Sequence, residues 1–324
     1  MTTKIASPTP GVLATAARRL REGHLVAFPT ETVYGLGADA ANPRAVHAIF
    51  AAKGRPTDHP VIVHLPGVEH VGRWARAFPA GARKLAAEFW PGPLTLILPR
   101  APHVPDAVTG GQDSVGLRVP SHRIARDLLA AFGAAGGEGI AAPSANRFGG
   151  VSPTTAQHVA DDLDDRVDMI IDGGACAVGI ESTIVAFDGH DAVLLRPGGI
   201  SIDDLARVLG ATPRAPDGSA PRASGTLASH YAPGTPSRLI DANTLLHVAA
   251  GNARVAILAR SVARPAGFAG VWIAAPDDVA RYAHDLYANL RQLDAARADA
   301  ILIEVPPAGD AWLAVRDRLT RATT

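Results

Sequence analysis

The chain predicts an α/β protein built on a mixed, twisted sheet, with a smaller α/β layer fold after it. Three features carry this expectation. Apolar runs of strand length alternate with helix-period segments from Val12 onward. Three short strand-like runs, Met169–Asp172, Ser182–Phe187 and Val193–Leu195, lie close together, which calls for some antiparallel pairing. A stretch over 212–236, rich in Pro, Gly, Ser and Ala, has almost no apolar periodicity and reads as a linker. The expected organisation is therefore a first domain over 1–211, a linker over 212–236 and a small α/β domain over 237–324. At 324 residues there is room for both, because single cores stop growing at about 250–300 residues.

In order, Val12–Arg21 has helical spacing and stops before Gly23, and His24–Phe28 is a buried strand ended by Pro29. Asn42-Pro43 opens a helix, Asn as N-cap and Pro at the first helical position, with Val46, Ile49 and Phe50 on one face and Gly54 as the stop. Pro60–Leu65 is a strand, helices over 68–77 and 80–89 follow, and Leu94–Leu98 and Ser114–Val119 are strands. Ser121–Phe132 is a helix; Gly139–Ala142 runs into the turn Pro143-Ser-Ala-Asn146, and a helix starts near Thr154 with Gln157 completing a capping box. Ser201 caps a helix ended by Gly210. Beyond the linker, Ser237–Ile240, Val255–Leu258, Val271–Ala274 and Ile301–Val305 are strands, and Val279–Ala296 is the clearest helix.

Totals narrow the function. Basic and acidic residues balance at 31 each, so no overall field draws the chain to nucleic acid or an anionic membrane, and an anion site has to be local. The single Cys176 excludes an intramolecular disulfide and a zinc site made of several cysteines. No apolar run reaches the roughly 18 residues of a membrane span, so a soluble cytoplasmic protein is expected. Gly35-Leu-Gly37-Ala-Asp-Ala40 fits G-x-G-x-x-A formally, but its glycines do not bridge a strand directly to a helix. No lysine follows a glycine, so there is no P-loop, and neither H-E-x-x-H nor G-x-S-x-G occurs.

What remains is a set of polar groups at strand and helix ends, organised around Phe28-Pro-Thr-Glu-Thr-Val-Tyr-Gly-Leu-Gly37 and Lys53-Gly-Arg55. Lys53, one of three lysines, and Arg55 either complement a helix dipole in water or meet phosphate oxygens, Arg by its fork and Lys as a point charge. Thr30 and Thr32 read as turn hydroxyls, Glu31 as a metal or amine ligand or a solvated turn carboxylate, and His64 as a half-buried histidine. Arg118, between Leu117 and Val119 in a strand, points away from both and needs a partner.

PTETVYGLGADA, the helix after it, KGRPTDHPVIVHL, and later APSAN and ESTIV together resemble the YrdC-type domain of threonylcarbamoyl-AMP synthases over roughly residues 12–210. The remainder resembles the Rossmann-like C-terminal domain of the two-domain members. The resemblance implies synthesis of threonylcarbamoyl-AMP from L-threonine, bicarbonate and ATP with Mg²⁺, feeding a transferase that modifies tRNA. It implies ATP contacts at Lys53, Arg55, Ser114, Ser144, Asn146, Ser152 and Arg196, with His59 where many relatives carry Asn. It implies threonine contacts at Thr30, Thr32, His64, Arg118, Ala142 and Ser182. The linker departs from the family: where relatives have S-P-G-M-K-Y-R-H-Y-A-P, this chain has Ala223-Ser-Gly-Thr-Leu-Ala-Ser-His-Tyr-Ala-Pro233, keeping His230 and Tyr231 without the basic residues. An expected lid over Gly225–Pro233 closes Tyr231 or His230 on ATP. Two rivals are another carbamoyl-handling enzyme of the same fold and an RNA-binding module; the balanced charge makes any direct nucleic-acid binding weak.

Overall fold

A computed structural model describes residues 5–189, 191–251 and 254–324. The described residues fall into two compact units. The first comprises those of Met1–Phe148, Pro153–Ala177 and Glu181–Thr226; the second comprises those of Gly149–Ser152, Val178–Ile180 and Leu227–Thr324.

The first unit is a ten-stranded sheet made of β1 (Ile5–Ala6), β2 (Val26–Phe28), β3 (Gly35–Asp39), β4 (Ile62–His64), β5 (Leu94–Pro99), β6 (Ser114–Arg118), β7 (Ile140–Ala141), β8 (Met169–Ile171), β9 (Thr183–Asp188) and β10 (Asp191–Arg196), in the order β1-β8-β2-β3-β7-β4-β6-β5-β9-β10. The sheet is mixed, as expected. β4 runs parallel to β6 and β5 to β9, whereas β2/β3, β3/β7, β5/β6 and β9/β10 are antiparallel. Helices α1 (Pro10–Arg21), α2 (Pro43–Lys53), α3 (Val71–Trp74), α4 (Ala80–Phe89), α5 (Asp106–Thr109), α6 (Arg123–Ala134), α7 (Ala156–Leu163) and α8 (Ile202–Leu209) complete it. Leu13 and Leu20 of α1 and Leu128 and Phe132 of α6 share a buried cluster with Phe28 and Ile140, which is what the helical spacing of these residues requires.

Local signals behave as their chemistry dictates, with two corrections. The Asn42 side chain accepts the N–H groups of Arg44 and Ala45, and Gly54 closes α2 in the left-handed region at φ 64°. The capping residue of α7 is Thr155, whose side chain accepts from the His158 N–H, while Gln157 bonds Asp161 instead. The pattern over 68–77 yields only a 3-10 turn and the four-residue α3, which an extended Ala75 ends.

The start of the linker is ordered against the first unit. Arg214 exchanges backbone hydrogen bonds with Ala192 and Leu194 at 2.9 and 3.0 Å, and Ala220 and Ala223 pack on Ile62, Ile97, Ile184 and Leu195.

In the second unit, β11 (Ser237–Ile240), β12 (Val255–Ala259), β13 (Trp272–Ala274) and β14 (Ala300–Glu304) form an all-parallel sheet in the order β11-β14-β12-β13. Helices α9 (Ala242–Ala249), α10 (Val279–Ala295) and α11 (Leu313–Ala322) accompany it. Strands buried on both faces explain the unbroken apolar runs Val255–Ala259 and Ala300–Ile303. Among the described residues, no helix is long and apolar enough to cross a membrane.

Candidate active site

Pro29 ends β2, and the chain turns through Thr30-Glu31-Thr32 before β3 pairs back on it. The Thr30 hydroxyl donates to the Val33 carbonyl at 2.6 Å, accepts the Thr32 and Val33 N–H groups at 3.2 and 3.3 Å, and lies 2.8 Å from the Thr32 hydroxyl. Two neighbouring parallel strands face this turn. β6 ends in Arg118 and β4 in His64, in register with each other. Arg118 Nη1 donates to Thr32 Oγ1 at 2.8 Å, and its Nη2 lies 2.7 Å from Glu31 Oε1. Glu31 Oε2 accepts the His122 N–H at 3.4 Å. Glu31 is therefore buried rather than a solvated turn carboxylate, and it is the internal partner that the strand arginine needs.

The charges tune each other. Burial is the largest influence and raises the Glu31 carboxyl, but the Arg118 guanidinium and the backbone N–H groups around it together hold the group below the usual carboxylate range. Burial, helped by the same guanidinium, pushes His64 down to about 3, so its imidazole is neutral. The Cys176 thiol is pushed up to about 12 by burial beside these charges and stays protonated. Ala142 donates its N–H to Ile62 at 3.0 Å, tying the end of β7 to β4.

A second group of side chains gathers cations. Lys53, at the end of α2, is buried and donates to the carbonyls of Ser144 and Asn146, and its pKa falls well below the ordinary value through burial and then through Arg55. Neither Lys53 nor Arg55 faces bulk water, contrary to the helix-end alternative. Arg55 donates to the Pro60 carbonyl at 2.9 Å and sits 5.9 Å from the Phe148 ring, against which His59 also packs edge-on at 5.4 Å. Burial and the charges of Arg55 and Arg222 lower the His59 pKa against the pull of Asp58. The Ser144 turn is bridged to Gly35, joining this group to the threonine turn.

A third group joins Ser182 and Arg196. The Ser182 hydroxyl lies 2.8 Å from that of Thr95, and Arg196 donates to the Ser182 carbonyl from Nε and Nη2 and to the Ser224 carbonyl from Nη1 at 2.8 Å. Ser114 opens β6 beside Pro99, at the other end of the strand from Arg118. Ser152 and Tyr231 belong to the second unit, where the Tyr231 ring is buried and stacked on Tyr287 at 5.7 Å. A cavity of about 400 Å³ in that unit, lined by Arg254, Phe268 and Arg297 at the N-terminal ends of β12, β13 and β14, holds none of the expected residues. The contacts implied by the resemblance left out Glu31, which the sequence offered as a metal or amine ligand, and Thr95 and Ser224, which it did not offer at all. Only Glu31 had a signal, its place between two threonines.

Buried guanidiniums and hydroxyls at strand ends, next to a lysine held by backbone carbonyls, define the class: a mixed-sheet α/β protein with a site suited to carboxylate and phosphate groups. Comparison with known proteins narrows it. A family model of the Sua5, YciO and YrdC proteins, described as "Telomere recombination", matches residues 18–198, and one described as "Threonylcarbamoyl-AMP synthase, C-terminal domain" matches 200–324. The threonylcarbamoyl-AMP synthases of Pyrococcus abyssi and Bacillus subtilis are each 38% identical, over 95% and 96% of this chain and 93% and 92% of theirs. The crystal structure of P. abyssi Sua5 complexed with L-threonine superposes with a TM-score of 0.91 at 36% identity, covering 99% of this chain and 98% of that one. The chain belongs to the threonylcarbamoyl-AMP synthase family, in its two-domain form.

Proposed function

We propose that this protein is an L-threonylcarbamoyladenylate synthase, a nucleotidyltransferase. The L-threonine nitrogen bonds to the bicarbonate carbon and water leaves, giving N-carboxythreonine; one oxygen of that carbamate attacks the first phosphorus of ATP, the bond to pyrophosphate breaks, and threonylcarbamoyl-AMP remains. The observation that carries the reading is the buried Arg118 fixed on the Thr32 hydroxyl, a preorganised carboxylate receptor in a turn of threonines. L-Threonine would be held by Thr30, Thr32, His64, Arg118, Ala142 and Ser182, and ATP by Lys53, Arg55, His59, Ser114, Ser144, Asn146, Ser152, Arg196 and Tyr231.

The protein's work is positioning and charge neutralisation rather than covalent catalysis. Arg55 and Lys53 would offset the charge building on the phosphates, and burial would keep water from the product. Among the described residues, no group of three or more His, Cys, Asp or Glu side chains could hold a metal; Mg²⁺ would arrive held by the phosphates of its nucleotide, whose remaining charge Lys53 and Arg55 would meet. Bound there, Mg²⁺ would neutralise phosphate charge. The product would pass to a transferase that forms N6-threonylcarbamoyladenosine on tRNA, and a cytoplasmic location suits that use. The test is to incubate the full chain with ATP, bicarbonate and labelled threonine. AMP-linked label with equimolar pyrophosphate is expected; pyrophosphate release independent of threonine would overturn the reading.

A further inference from the structure

Resting on the reading that the threonine turn takes the amino acid, we propose that Glu31 recognises the substrate's ammonium, so that the Glu31–Arg118 pair opens around an amino-acid zwitterion. The pair is unusual in what it leaves unmade. Its side chains are 8% and 5% exposed, and the closest approach is 2.7 Å, from Nη2 to Oε1. Yet among the described residues Glu31 Oε1 and Arg118 Nη2 meet only each other, in the ion pair, and Arg118 Nε and the buried Nδ1 of His64 lack an aligned hydrogen-bond partner. Buried polar atoms are almost always paired, so the cluster points to something that completes it.

Its chemistry names the ligand. Nε and Nη2 form one edge of the guanidinium, the edge that accepts a carboxylate in bidentate fashion, while Nη1 stays on Thr32. Oε1 is a single ionised acceptor, kept in place because Oε2 is held by the His122 N–H. A carboxylate seated on the arginine edge and an ammonium seated on Oε1 exchange one buried ion pair for two, so neither protein charge is left alone in the interior. A ligand with only one of the two charges leaves the other protein group uncompensated. The low carboxyl pKa suits this role, since a carboxylate that stays ionised is a counter-ion for ammonium rather than a proton acceptor.

Calorimetry on the full chain, without ATP and in bicarbonate-free buffer, tests the assignment with L-threonine and 3-hydroxybutanoate, which is threonine without its amino group. Wild type should prefer threonine by about 30-fold or more, in the range of a buried charge pair lost. In Glu31→Gln, threonine should bind more weakly and the deaminated acid more tightly, because the arginine then faces a neutral neighbour. A merely damaged pocket weakens both, and the opposed shifts are therefore diagnostic. Equal affinities for the two ligands in wild type, or an unchanged preference in folded Glu31→Gln, would overturn the assignment. Wild type that binds neither ligand would overturn the amino-acid site itself and this assignment with it.

Discussion

Arg55 and Ser224 donate to one and the same oxygen, the Pro60 carbonyl, at 2.9 and 2.7 Å. The cation proposed for the phosphates and the start of the linker are thus bound to a single loop, and Arg196 fixes the Ser224 carbonyl from the other side. The arrangement separates function from folding at position 55. If the guanidinium is removed, the Pro60 oxygen keeps the Ser224 hydroxyl and no buried acceptor is orphaned there.

Arg55→Ala should therefore fold and lose transition-state stabilisation of about 2–4 kcal/mol, roughly 30- to 1,000-fold in kcat/KM for ATP. Pyrophosphate release under threonine-saturated conditions measures it. Unchanged turnover in the folded variant would remove Arg55 from the site.

His64 makes a pH-dependent contribution whose sign follows from its burial. Its folded pKa of about 3 lies below the ordinary 6.5, so the unfolded chain takes up a proton as pH falls through about 6.5 while the native chain does not. The stability is fully present above about 6.5 and is lost progressively towards pH 3. His64→Gln should flatten the fall between pH 6.5 and 5 by up to roughly 1.4 kcal/mol per pH unit, a window that lies above the range where Glu31 titrates. Urea midpoints at pH 7.5 and 5 for the two proteins decide it; parallel pH dependences would mean that His64 is protonated in the native state.

Much of the fold was legible because its signals are local. Asn42-Pro43 and Gly54 bound α2 through caps that need no distant partner, and the crowded strands near 169–196 announced antiparallel pairing in a mixed sheet. The site was legible as a list of residues and not as a network. Whether Glu31 is solvated depends on Arg118, and Ser224 acquires a role through Pro60 and Arg196, contacts made across many residues by sheet topology. Even Thr155, which caps α7 in place of its neighbour, was chosen by an extended backbone that two adjacent threonines do not distinguish in sequence.

Among the glycines inside the strands, Gly37 has the least room. A Cβ there would stand 2.8 Å from the Phe28 ring, 2.9 Å from the Val26 carbonyl and 3.0 Å from an Ile140 methyl, and the carbonyl cannot retreat without opening the β2/β3 ladder. Gly37→Ala should cost about 1–3 kcal/mol of stability, the usual penalty for overpacking. Because β2 and β3 flank the Thr30–Thr32 turn, threonine affinity should fall with it. An unaltered melting temperature would show that the two strands have room to part.

The last prediction concerns the segment whose composition promised least order. Tyr231 adopts the left-handed region at φ 63°, a conformation a non-glycine residue holds only when its surroundings insist. Those surroundings lie in the second unit. The Tyr231 ring is stacked on Tyr287, and the Arg318 guanidinium, wholly buried, lies 5.2 Å from its centre while pairing with Asp317 at 2.6 Å. His230 donates its N–H to the Arg321 carbonyl at 3.1 Å, and the Ser229 hydroxyl donates to the Thr324 carbonyl at 3.2 Å, so α11 and Thr324, two residues beyond it, hold the His-Tyr pair. Arg318→Met keeps much of the volume and removes the cation; Asp317 retains Arg321 at 2.9 Å, so no carboxylate is stranded. The variant should lose about 1–3 kcal/mol, the cation–π contact and the charged hydrogen bond to Asp317 among the interactions removed, and the stretch 225–233 should be cut faster by a protease. If the stretch is also a lid, ATP with threonine should slow cleavage in wild type, and less so in Arg318→Met. Cleavage at one rate in both proteins would mean that α11 does not hold the linker, and a wild-type rate indifferent to ligands would leave it a tether.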